Sequence, residues 1–89
     1  METKKILIKG KVQGVFFRQS AKAVAQSSGV KGTVKNLPGG DTVEIIATAR
    51  YDQLSILIDW CKHGPAYAVV SSIEIIDLPL TVFDDFSIV

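Results

Sequence analysis

Between residues 4 and 12 apolar and polar positions alternate, with Ile6, Ile8, Gly10 and Val12 on one parity and Lys5, Leu7, Lys9 and Lys11 on the other. A period of two with one apolar and one basic side predicts a strand whose sheet meets water on one face. Gln13-Gly14-Val15 reads as a turn. From about Arg18 the period lengthens: Ala21, Val24, Ala25 and Ser28 recur three and four apart, and Gly29 marks the stop. This stripe of small side chains predicts a helix lying close to the sheet.

Val30, Gly32 and Val34 alternate with Lys31, Thr33 and Lys35, and Asn36-Leu37-Pro38-Gly39-Gly40-Asp41 is dense in turn formers. Val43, Ile45 and Ala47 alternate with Thr42, Glu44, Ile46 and Thr48, so residues 30–48 predict a hairpin. A second helical stripe runs through Tyr51, Leu54, Leu57, Ile58 and Cys61, with His63 in its last turn and Gly64-Pro65 as terminator. Residues 68–76, rich in Val and Ile, predict a fourth strand, and Phe83, Phe86 and Ile88 a short final one. The order is β-α-β-β-α-β plus a C-terminal strand. It predicts an α+β, ferredoxin-like split βαβ fold, an antiparallel sheet with both helices on one face and the lysines on the other.

At 89 residues the chain is expected to form one domain, 1–89. Ten basic against nine acidic side chains leave a net charge of +1, which argues against nucleic acid or an acidic membrane as partner. A hydrophobic share of 47% excludes general disorder. Cys61 is the only cysteine, so no intrachain disulfide forms, and a single His beside it leaves little for a structural zinc site. Ile6-Leu7-Ile8 is too short for a leader's apolar segment, and no apolar run reaches membrane-spanning length. A monomeric, cytoplasmic protein is the expectation.

The segment from Gly10 to Arg18 carries the most chemistry. A chain passing from strand to helix exposes amides with no intrahelical partner, at the positive end of the helix dipole. Gly14 permits the positive φ that curls successive N–H groups of Gly14, Val15, Phe16 and Phe17 into an anion-binding nest. Arg18 adds a planar guanidinium able to grip two oxygens of one phosphate. Together they make a phosphate cradle without a Walker lysine. The plainer alternative is a β-to-α turn with Arg18 solvated. Asn36 likewise has two readings: an Asx residue opening the hairpin turn, or a carboxamide that orients a water.

Ile8-x-Gly10-x-Val12-Gln13-Gly14-Val15-x-Phe17-Arg18 resembles the first signature of the acylphosphatase family at every position. Gly32-x-Val34-Lys35-Asn36 resembles its second, and Gly64-Pro65-x-x-Ala68-x-Val70 its stretch after the second helix. Three positions depart from the pattern. Thr33 stands where an aromatic is usual, the turn after Asn36 is one residue longer, and Ala49 replaces a common glycine.

The resemblance implies hydrolysis of the carboxyl–phosphate bond of small acyl phosphates, with water as co-substrate and no metal or cofactor. It makes Arg18 and Asn36 the catalytic pair and the amides of residues 14–17 the phosphate binders. An acyl phosphate expels a carboxylate, whose conjugate acid has a pKa near ~4. No general acid is then required, and a loose phosphoryl-transfer transition state needs mainly positioning and charge stabilisation.

Other polar and aromatic residues read as structural. His63 suits a cation near a helix C-terminus, and Cys61 a small buried hydrophobe. Trp60 lies off the main stripe, over a sheet edge. Asp84 and Asp85, adjacent on an extended chain, point apart. Of Phe16 and Phe17, one enters the core and the other shields the site. The competing function is a non-catalytic ferredoxin-like module that binds phosphate or a small anion. An RNA-binding version lacks stacking aromatics on the central strands, and a metal carrier lacks Cys-x-x-Cys.

Overall fold

The alternation at residues 4–12 becomes strand β1 (Glu2–Lys11) in a computed structural model that describes residues 1–89. After it come α1 (Phe17–Ser28), β2 (Lys31–Asn36), β3 (Thr42–Ala49), α2 (Tyr51–Cys61), β4 (Val69–Leu78) and β5 (Phe86–Ile88). The sheet order is β4-β1-β3-β2-β5. The first four strands pair antiparallel, as expected of the ferredoxin-like arrangement. β5 departs from the expected all-antiparallel sheet: it runs parallel to β2, pairing Phe86 with Gly32 and Ile88 with Val34. Residues 79–85 carry the chain from one sheet edge to the other, so β5 arrives in the direction of β2. Phe83 belongs to this crossing and not to the strand.

Parity sorts the two faces of the sheet. Ile6 opposes Ile45 and Ile8 opposes Val43, and all four are fully buried with Val34 beneath the helices. Ala21 and Ala25 of α1 and Leu54 and Leu57 of α2 complete the same core from one side of the sheet. The small side chains of α1 let its backbone sit near the strands, as its stripe predicts. The open face is less basic than expected, because Glu44 stands in register between Leu7 and Lys35, and Glu74 beside Leu7. At its far end Thr3 and Thr48 share a hydroxyl hydrogen bond of 2.7 Å beneath the crossing segment. On the opposite face, beside α2, Lys4 pairs with Asp77, and that hydrogen bond raises the ammonium's pKa.

The register places the ends that matter together. In the line Asn36–Val43–Ile8, the end of β2 and the last residues of β1 lie at the same end of the sheet. β3 separates β1 from β2: the split βαβ crossover leaves a slot that the hairpin's return strand fills.

Candidate active site

A bulge starts the site. Pairing of β1 with β4 shifts between Lys9 and Gly10, and a side chain at Gly10 would place its Cβ 2.1 Å from the Val69 carbonyl oxygen. Only glycine lets β4 approach so closely where β1 turns away into residues 12–16. Val12 and Val15 then bury their side chains, at 1% and 6% exposure, and hold the loop to the core.

The intervening residues turn their amides outward. Gly14 at φ 74° and Phe16 at φ 65° alternate with neighbours of negative φ. This alternation brings successive N–H groups to one side, as in an anion-binding nest. Gly14 has open space around the position of a Cβ, so its torsion, not crowding, asks for glycine. The amides of Gly14, Val15, Phe16 and Phe17 donate to no acceptor of the chain. Phe16 occupies the N-cap of α1 and offers no side-chain cap, and the first turn carries no acidic residue. The positive end of the helix therefore faces outward uncompensated.

Arg18 follows in the first turn of α1, exposed and free of any ion pair in the chain. A cavity of about 320 Å³ brings Arg18 together with Val12, Gly14, Phe16, Phe17, Gln19, Asn36 and Ile88. Its walls hold no His, Cys, Asp or Glu, so they offer amide, guanidinium and carboxamide groups. Such a set suits an anion. Asn36 supplies the one buried side-chain oxygen in the molecule that lacks a hydrogen-bond partner, its Oδ1. A buried acceptor left unsatisfied costs about 1–3 kcal/mol. It is retained in a residue that lines the same cavity as Arg18 and the cradle.

The two phenylalanines divide cleanly. Phe17 is 2% exposed and packs into the core, while Phe16 is 75% exposed at the rim. His63 is displaced from its expected place in the helix: α2 ends at Cys61, and His63 lies exposed in the turn beyond, its N–H donating to the Trp60 carbonyl. Gly64, at φ 70°, donates to the same oxygen and ends the helix early. Trp60, half-buried, packs against the core and meets the ring of Phe17. One residue of the site escaped sequence reasoning altogether. Gln13, half-buried, donates from Nε2 to the carbonyl oxygens of Leu37 and Thr42, both at 2.9 Å. Its presence inside the first signature was the available signal; its partners 24 and 29 residues away were not.

A family model described as acylphosphatase matches residues 4–88. An acylphosphatase of Syntrophus aciditrophicus is 43% identical over 84 residues, covering 93% of this chain and 86% of that protein. The crystal structure of acylphosphatase from Bacillus subtilis superposes with a TM-score of 0.95 at 32% identity, over 100% of this chain and 99% of that one. An acylphosphatase structure from Coxiella burnetii gives a TM-score of 0.93 at 34% identity, over 98% of this chain and 90% of that one.

Proposed function

Since the chain belongs to the acylphosphatase family, we propose that its cradle binds the phosphoryl group of a small acyl phosphate and delivers a water to it, without a metal. The amides of residues 14–17, which pair with no acceptor in the chain, and the Arg18 guanidinium take the phosphoryl oxygens and stabilise their charge. Asn36 accepts a hydrogen bond from the attacking water through Oδ1 and orients it without removing its proton.

The water oxygen bonds to phosphorus as the bond from phosphorus to the carboxyl oxygen breaks. The electron pair leaves on the carboxylate, and the water's proton passes to a phosphate oxygen or to solvent. Products are a carboxylate and inorganic phosphate. A leaving group that weakly basic departs unprotonated, so the site's lack of an acid side chain costs it nothing.

One observation carries this reading: a single cavity joins unpaired main-chain donors and an arginine to a buried, unpartnered carboxamide oxygen. That combination serves a reaction between an anion and a water better than it serves retention of an anion alone. A buried, unpaired Cys61 fits the reducing cytoplasm.

The test is purified protein with a synthetic acyl phosphate in the presence of EDTA, following loss of the anhydride. Metal-independent turnover is expected. Binding of inorganic phosphate without turnover would make the protein the anion-binding module instead.

A further inference from the structure

We propose that Gln13 is a positioning residue for this reaction, a strut that sets the distance between the phosphate cradle and Asn36. The inference rests on the hydrolytic reading of the site. Cradle and carboxamide come from segments that the sheet does not join directly, since β3 stands between β1 and β2. Gln13 precedes the first residue of the nest, and its side chain spans to the hairpin at both of that turn's ends, Leu37 and Thr42. Both acceptors are carbonyl oxygens, so only the carboxamide nitrogen serves, and its two hydrogens match two partners.

The neighbouring hydrogen bonds give the strut its leverage. Leu37 N–H donates to the Thr42 carbonyl, closing the turn that begins just after Asn36. Gln13 therefore fixes the residue adjoining Asn36 and the residue that closes the loop opposite it. Asn36 Oδ1 has no protein partner, so no side-chain bond of its own holds that oxygen in place. The cradle is anchored separately, through the buried side chains of Val12, Val15 and Phe17. When the Gln13 bonds are cut, the hairpin moves and the nest stays. The consequence is specific: turnover suffers while phosphate affinity is kept.

Gln13→Met keeps length and flexibility but removes both donors. Its kcat is expected to fall roughly 10- to 100-fold, the scale of a misplaced reacting group, with inhibition by inorganic phosphate unchanged. Gln13→Glu adds a readout that plain structural support would not move. At neutral pH its carboxylate faces two carbonyl oxygens and kcat is low; as pH falls from about 7 to about 4 the carboxyl, whose pKa partial burial and the facing oxygens raise above the ordinary ~4.3, takes up a proton and regains one O–H donor. Its kcat relative to the unsubstituted protein then rises. The charged groups nearest Gln13 along the segments that meet there are Lys9, Lys11, Arg18, Lys35, Asp41 and Glu44, and both proteins carry them. Their titration cancels in the ratio.

Retention of kcat in both variants overturns the proposal. So does a parallel loss of kcat and phosphate affinity with no recovery in acid. An unsubstituted protein that never hydrolyses an acyl phosphate overturns the underlying reading instead.

Discussion

The ring of Phe17 lies against the indole of Trp60, centroids 5.1 Å apart and planes inclined by 56°. This contact ties the first turn of α1, which carries the cradle, to the last turn of α2. The phenylalanine beside it contributes nothing comparable, because Phe16 projects outward on a left-handed backbone. That conformation costs a residue with a Cβ roughly 1–2 kcal/mol. Adjacent aromatic residues thus have opposite effects on stability. Phe17→Ala is expected to destabilise by about 3–5 kcal/mol. Phe16→Gly should hold or raise the melting temperature. Thermal denaturation of the two variants checks both.

Arg18 has no ion-pair partner of its own, so its removal disturbs no internal bridge. Arg18→Ala should lose phosphate binding and at least ~10²-fold in kcat with little change in stability, as for other fixed electrostatic donors. Arg18→Lys keeps the charge without the planar fork and should recover only part of the loss. Steady-state kinetics with phosphate as inhibitor measure this, and an Arg18→Ala protein with most of its activity would exclude the guanidinium from the mechanism.

Asn36→Ala removes a buried acceptor that pairs with nothing in the protein. Loss of an unsatisfied polar atom should leave stability equal or slightly improved. Turnover, by contrast, should fall by about two orders of magnitude with phosphate affinity nearly unchanged. Weakened affinity alone would contradict a water-orienting role.

Burial pushes the Cys61 thiol up to about 12 from its ordinary 9.0. Between those values the unfolded chain has lost the proton that the native state keeps. Native stability is therefore full below pH 9.0 and declines as pH rises toward about 12, by at most ~1.4 kcal/mol per pH unit. Cys61→Ala should be less stable at neutral pH, through the cavity it leaves, yet lose less on the alkaline side. Melting curves for both proteins from pH ~8 to ~10.5 test the difference in slope.

Much of the fold was legible because it depends on periods that a chain carries locally. Alternation at Ile6 and Ile8 and at Val43 and Ile45 marked core-facing positions of β1 and β3, and the stripe from Ala21 to Ala25 marked the buried side of α1. Positions settled by hydrogen-bond competition were less legible. The end of α2 is one such case: Gly64 and His63 both donate to Trp60 and stop the helix before His63 joins it. The parallel pairing of β5 is another, decided by the path of residues 79–85 and not by the pattern within Phe86–Ile88.

In the candidate site, residue identity and residue geometry divided in the same way. Gly14, Arg18 and Asn36 declared their chemistry in the sequence, because a flexible backbone, a forked cation and a carboxamide are properties of single residues. Which phenylalanine enters the core, how Gln13 spans to the hairpin, and that Asn36 Oδ1 is left without a partner were decided only in three dimensions. The reason is physical. A side chain's type is written locally, but its burial and its bonding partners depend on segments tens of residues away, which meet only when the sheet has closed.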